Sequence, residues 1–382
     1  MQLRVTLIVL SLLISLTFVK CSVDNKWPTF DSFNQILGGF GALLTAQRAA
    51  NLTQANYTEK WLKMAVFVGY DAYQSLMVDK YNFTSDQEVT QFVTAYVDQI
   101  QSIFRQSSLG GVLFIDLVHI VVHKSNDALP TWNGDRDKLL NSFCDYQKLI
   151  NDRWWDLALY LTSLNLYSIS DSGVKDYDAL GIAPIGGICQ KSNGCVIVEL
   201  GPVSESPDVV KDRIYPSGGF ASTWIAAHEM AHNLGILHDG DVNHCPNNLF
   251  LMSSSRGHIG KNTWSRCSAS HFSLLDVPCL MERSSFHTRI AKTMKFNVNS
   301  LPGALYNAEE QCRFFFADFN ARPVNVTSEI CSTSLYCTHK GPTGFSETIA
   351  TSPALEGTAC APDCICLNAI CTKIPFHYDY FY

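Results

Sequence analysis

The sequence predicts an α/β domain of about 200 residues, built on a mixed sheet, followed by a small disulfide-rich domain. Three observations carry that expectation. From Trp61 to about residue 285, apolar residues recur first with strand spacing and then with helical spacing, and the two patterns alternate. Within this stretch an apolar run leads into a single string, His228-Glu229-Met230-Ala231-His232-Asn233-Leu234-Gly235-Ile236-Leu237-His238-Asp239. Of the fourteen cysteines, six fall between residues 144 and 279 and seven between 312 and 371, the latter in a stretch too short to bury much core.

Met1 to Cys21 has Arg4 near its start and an apolar run from Val5 to Val19, too short to span a bilayer and placed like a signal peptide cleaved before Ser22. No later apolar stretch is long enough for a transmembrane segment, so a soluble, secreted product is expected. Four N-glycosylation sequons, at Asn51, Asn56, Asn82 and Asn325, and the abundance of cysteine fit an oxidising route. The net charge of −7 leaves no electrostatic footprint for nucleic acid or an anionic membrane. Residues 22–59 are polar and aperiodic, and read as a short pro-segment. Once Cys21 is removed this segment holds no cysteine, so it offers no thiolate to cap a metal.

The α/β domain is expected over residues 60–285. Met64 to Val68 reads as a strand. Ser85 and Glu88 have capping-box spacing ahead of Val89, Phe92, Val93, Tyr96, Val97, Ile100 and Phe104, which recur as on a helix. Val112 to His123 is a β-branched strand; His119 and His123 on it stand about 13 Å apart and are assigned to structure rather than to a shared metal. Asp135 to Ile150 is an amphipathic helix with Leu139, Leu140, Phe143 and Tyr146 on its apolar side, and strands follow at Leu157 to Leu161 and Val196 to Glu199. Leu180 to Ile188, rich in glycine and small residues, reads as an edge strand against which an extended peptide can pair.

The histidine string has the chemistry of a zinc site. Residues four apart share a helix face, so His228 and His232 can offer two imidazole nitrogens to one tetrahedral ion. Gly235 allows the chain to leave the helix through a positive φ and return His238 as a third ligand. Three protein ligands leave one position for a water acidified toward a pKa of about 7, and Glu229 is the adjacent carboxylate that takes its proton. Fourteen residues after His238, Met252 fits an apolar floor beneath the site.

The extended zinc motif with Met252 resembles that of the metzincins, and Asp239 after the third histidine resembles the reprolysin or adamalysin group. Within it the chain is most similar to the ADAMTS branch, through Phe143-Cys144-Asp145-Tyr146-Gln147, Gly187-Ile188-Cys189, Gly194-Cys195-Val196-Ile197-Val198-Glu199 and Trp264-Ser265-Arg266-Cys267-Ser268. The resemblance implies a metzincin catalytic domain, one zinc ion per chain, and disulfides joining Cys144 to Cys195, Cys189 to Cys279 and Cys245 to Cys267. It also implies calcium ligands, for which Asp156 and Glu282 qualify; Lys63, however, stands where a first-strand acid belongs, and an inward ammonium disfavours the ion. Between Glu199 and Phe220 the segment Gly201 to Gly219 is longer than the family pattern and is expected to shape the cleft.

Residues 286–300 read as a linker. Residues 301–373 resemble the disintegrin-like module that follows ADAMTS catalytic domains, through Gln311-Cys312, Cys331 to Tyr336-Cys337 and Gly357-Thr358-Ala359-Cys360, with one bonded pair missing. The remainder implies Cys312 with Cys337, Cys331 with Cys366 and Cys360 with Cys371. Cys364 is left over: free, joined to another chain, or paired with Cys21 if the leader is cut earlier. The module is either a stapled cap or an exosite for matrix or receptor proteins, and the aromatic tail, residues 374–382, is exposed or docked. The family likeness implies a monomeric secreted zinc endopeptidase acting on extracellular proteins. The alternative is a non-catalytic secreted binder of matrix or cell-surface proteins working through the C-terminal module.

Overall fold

In the computed structural model, the described residues are 58–79, 81–127, 129–150, 154–201, 217–254, 262–282, 298–341 and 344–374. The expected leader, most of the pro-segment and linker, Cys21, Asn51, Asn56 and the tail after residue 374 lie outside them. The first strand, β1 (Thr58–Val68), begins earlier than the expected domain start. Thr58 pairs with Gly111 and Glu59 with Val112 in the parallel β1–β2 ladder, whose register shifts between Met64 and Ala65.

Helix α1 (Asp86–Ile103) starts at a capping box. The Ser85 side chain accepts from the Glu88 N–H, and the Glu88 carboxylate accepts from the Ser85 N–H at 3.1 Å, which satisfies two otherwise orphaned donors. Then come β2 (Gly111–Val122), α2 (Arg136–Lys148) capped by Asp135, β3 (Leu157–Thr162), the two-residue β4 (Gly181–Ile182) and β5 (Cys195–Glu199). The sheet order is β2-β1-β3-β5-β4, parallel throughout except for β4 at one edge.

The alternation of side chains along the central strands divides the core into two layers. Met64, Val66, Val68, Leu159 and Val198 pack with α1 and with α3 (Ser222–Asn233), whereas Ala65, Phe67, Tyr160 and Ile197 pack with Leu139, Leu140 and Phe143 of α2. His123 is buried in the second layer against Phe67, Tyr146 and Tyr160, and His119 stacks on Trp155.

The stretch from Leu180 to Ile188 is an edge strand only in part, because the ladder stops at Ile182. Pro184 has no N–H to continue it and Gly186 turns at φ +68°. The rest of the segment instead caps the end of α3: the N–H groups of Gly186 and Ile188 donate to the carbonyls of His232 and Asn233, and the Asn233 amide donates to Pro184 O. The last carbonyls of a helix have no intrahelical partner, and these bonds supply one.

After α4 (Arg266–Leu274), the C-terminal domain contains α5 (Ala308–Phe316) and two three-stranded antiparallel sheets, β6 (Arg322–Val324), β7 (Tyr336–Lys340) and β8 (Ser346–Ala350), then β9 (Ala359–Ala361), β10 (Cys364–Leu367) and β11 (Ile370–Lys373). Its core is largely cystine, with Cys312 joined to Cys337, Cys331 to Cys366 and Cys360 to Cys371. Cys364 is not left over. It too is disulfide-bonded, and no described cysteine is free. Residues 298–300, assigned above to a linker, form a 3₁₀ turn.

The two domains share an aromatic cluster. Tyr306 and Phe314 of the C-terminal domain pack on Phe220 with centroid separations of 5.0 and 6.0 Å, and Phe314 also meets Tyr81 and Phe92. Around it the Asn262 amide donates to the carbonyls of Ser332 and Thr333, and the Glu356 N–H donates to Gln99 Oε1.

Candidate active site

Helix α3 carries the first two histidines on a platform that its own sequence buries. Trp224, Ala226, Ala227 and Met230 enter the main core, and Ser222 joins the helix start to its neighbours: its hydroxyl donates to Glu199 O and lies 2.7 Å from the Tyr96 hydroxyl. The helix ends in a Schellman arrangement. Ile236 N–H donates to Ala231 O and Gly235 N–H to His232 O, with Gly235 at φ +92°. A Cβ at Gly235 would be strained by that φ and would also crowd His271 Nε2 at 3.2 Å, so glycine is needed there.

The chain then turns back and brings His238 to the other two rings. His228 Nε2 and His238 Nε2 are 3.2 Å apart, and His232 Nε2 and His238 Nε2 are 3.1 Å apart. Ligand atoms 2.0–2.1 Å from a tetrahedral zinc ion stand about 3.3 Å from one another, so the spacing fits that ion. The opposite ring nitrogens fix the tautomers. His228 Nδ1 donates to Leu251 O at 2.7 Å and His232 Nδ1 to Ile236 O at 2.8 Å, which leaves the lone pairs of the neutral rings on Nε2. His238 Nδ1 faces Asp241 Oδ2 at 3.4 Å. Burial, and after it the neighbouring His238, holds the His232 ring down to a pKa of about 4, so it stays neutral at physiological pH.

Asp239 anchors the third histidine. Its N–H donates to Met252 O, and its buried carboxylate accepts from the hydroxyl of Ser265, which at the same time caps α4 by accepting from Ser268 N–H. Burial lifts the Asp239 carboxyl, against the opposing effects of Ser265 and His238. Met252 is fully buried in the main core. The adjoining Cys245–Cys267 bond closes this region, while Cys144–Cys195 and Cys189–Cys279 tie α2 and the turn after β4 to the rest of the domain.

Glu229 and the three histidines line a cleft of about 530 Å³ together with Gly181 and Ile182 of β4. Burial pushes the Glu229 carboxyl up to about 8, opposed by the positive charge of Arg136. The strand edge and the carboxylate nearly touch: a Cβ on Gly181 would lie 2.7 Å from Glu229 Cγ. Arg136, Gly181 and Asp241 have no motif in the sequence that ties them to the site, and the carbonyls of Leu251 and Ile236 have no residue signature at all. The long segment after Gly201 falls mostly outside the described residues; its end, Ser217, donates to Glu199 Oε1, and Gly219 abuts Phe314.

At the corner considered for calcium, the Lys63 ammonium is 3.5 Å from Glu282 Oε2, and Asp156 Oδ2 accepts from the Lys63 N–H. The sequon residues Asn82 and Asn325 are exposed, both at positive φ.

Two family models match the chain: ADAMTS cysteine-rich domain 2 over residues 302–372, and the reprolysin (M12B) family zinc metalloprotease over residues 60–281. Among similar proteins is A disintegrin and metalloproteinase with thrombospondin motifs 18 of Mus musculus, 28% identical over 369 residues, covering 93% of this chain and 26% of that protein. Another is A disintegrin and metalloproteinase with thrombospondin motifs adt-1 of Caenorhabditis elegans, 29% identical over 315 residues, covering 76% of this chain and 19% of that protein. The chain thus spans about a quarter or less of the length of these relatives. Archaemetzincin from Methanopyrus kandleri aligns at a TM-score of 0.33 and 16% identity, over 55% of this chain and 93% of its own. With the first of these domain matches covering the C-terminal domain and the second more than half of the whole chain, the chain belongs to the reprolysin (M12B) family of zinc metalloproteases.

Proposed function

We propose that the chain is a secreted, monomeric zinc endopeptidase that hydrolyses peptide bonds of extracellular proteins. The convergence of three Nε2 atoms beside the Glu229 carboxylate carries this reading. His228, His232 and His238 would hold one zinc ion per chain. When bound, the ion supplies Lewis acidity toward the scissile carbonyl and lowers the pKa of a water toward about 7. Glu229 takes the proton of the attacking water and returns it to the departing amine. The outer edge of β4, which no described strand pairs with, offers main-chain groups to an extended peptide passing Glu229.

Secretion is supported by the density of disulfides and by the exposed sequons at Asn82 and Asn325. No helix among the described residues is long and apolar enough to cross a membrane. Lys63, paired with Glu282, supplies a cation at the corner where calcium would otherwise sit, so calcium has no part in this reading.

The test is digestion of a casein-type substrate by the secreted chain, with and without chelator, alongside Glu229→Gln. The expected outcome is hydrolysis that chelation abolishes and zinc restores. In the variant, turnover falls by about a hundredfold or more while elemental analysis still finds one zinc per chain. A Glu229→Gln chain that digests at the wild-type rate defeats the assignment of the base, and a zinc-loaded chain that cleaves nothing favours the binder.

A further inference from the structure

The cleft contains a charged group that the hydrolytic mechanism does not use. Arg136 opens α2, where its backbone N–H donates to Tyr167 O at 3.0 Å, and its side chain reaches the cleft lined by Glu229 and Gly181. Only 26% of that side chain is exposed. Among the described residues the one carboxylate paired with it, Asp137, stands 3.9 Å from Nε, too far for a hydrogen bond, and Nε is buried without a hydrogen-bond partner there. A largely covered guanidinium has given up much of its hydration and is under-compensated by the protein. It lines the same cleft as Glu229 and the three histidines.

We propose that Arg136 is a specificity-determining residue, its guanidinium receiving the carboxylate of an acidic side chain on the bound peptide, a few residues from the bond that is cut. The inference rests on the peptidase reading above. A guanidinium that lines the cleft can meet a carboxylate with parallel N–H hydrogen bonds, and the pairing offsets a positive charge that the fold leaves under-compensated. A glutamine or alanine at the same substrate position offers no such charge, and a lysine is repelled.

Asp176 and Asp178 lie on the same cleft and would pull the other way, toward a basic substrate. Both are exposed, and water and salt screen an exposed carboxylate far more than they screen a covered guanidinium. The balance therefore favours the acidic side chain.

The test uses the zinc-loaded full chain and a peptide set carrying Glu, Gln or Lys in turn at each position flanking the cleavage site. For the wild type, kcat/KM at one position is expected to be about tenfold higher with Glu than with Gln. Arg136→Gln brings that ratio to about one, and Arg136→Glu inverts it in favour of Lys. Because each ratio is taken within one enzyme form, any general loss of activity in a variant cancels. A wild-type chain that cleaves the set with no Glu preference, or with a Lys preference, overturns the inference and leaves the peptidase reading standing, as does a Glu preference that survives in Arg136→Gln. A wild-type chain that cleaves none of the peptides removes both.

Discussion

The ring of Phe314 in the C-terminal domain lies 6.0 Å from that of Phe220, steeply inclined to it, and Phe220 leads directly into the helix that carries His228 and His232. The two domains are therefore not beads joined by a strand of chain. Phe314 also meets Tyr81 at 5.3 Å and Phe83 at 5.8 Å, and Gly219, at φ +51°, leaves room for it. The C-terminal domain thus braces the start of the metal-binding helix.

Removing that ring tests the brace. Phenylalanine to alanine in a fully closed core costs about 3–5 kcal/mol, and Phe314 is only half-buried, so Phe314→Ala is expected to cost about 2 kcal/mol. A melting temperature lower by about 4 °C should follow. A displaced helix start also moves the histidines, so kcat/KM should fall by about tenfold at temperatures where the variant is still folded. A variant that melts early but turns over like the wild type would confine the role of the C-terminal domain to stability.

Gly181 sets how closely a bound peptide can approach the base. A methyl group there would stand 2.7 Å from Glu229 Cγ, 3.1 Å from Ile197 O and 3.2 Å from Ile225 Cγ2, so neither the strand nor the helix can yield without shifting the carboxylate. For Gly181→Ala we expect zinc content unchanged and kcat lowered by about ten- to a hundredfold, since small misplacements of a reacting group are costly. Elemental analysis and steady-state kinetics on one peptide check this, and an unaltered kcat would mean that Glu229 has slack.

What could be read from the sequence was what local physics dictates. The capping box at Ser85 and Glu88, the alternation along Met64 to Val68 and the helix stop at Gly235 each depend on a few neighbouring residues. The sequence is silent where distant segments compete for the same groups. Leu180 to Ile188 has the composition of an edge strand, yet most of it is drawn off to satisfy the last carbonyls of α3, a demand invisible until the helix end is in place. Likewise nothing local in the sequence reveals that Phe314 packs on Phe220 and Tyr81 across the domain boundary. Arg136 has no signal in the sequence, because nothing in its neighbours reveals the cleft it lines.

The domain boundary also has a titrating group. Glu356 donates its N–H to Gln99 Oε1 on α1, and its carboxylate accepts from Asn368 N–H at 2.6 Å. Burial pushes its pKa from an ordinary 4.5 up to about 7, against the opposing pull of the Asn368 and Ala369 N–H groups and the charge of Arg105. A raised pKa means that the folded chain holds the proton more tightly than the unfolded chain does. The stabilisation is therefore full below about pH 4.5 and is lost as the pH rises through about 7. At about 1.4 kcal/mol per pKa unit, discounted for partial exposure, the loss is about 2 kcal/mol. Glu356→Gln keeps an oxygen for Asn368 and cannot ionise, so it should match the wild type near pH 5 and exceed it in stability by about that amount near pH 8. Urea unfolding midpoints of both proteins at four pH values between 5 and 8 check the claim. Parallel profiles would mean that Glu356 is charged in the folded chain throughout this range and that the boundary between the domains tolerates the carboxylate.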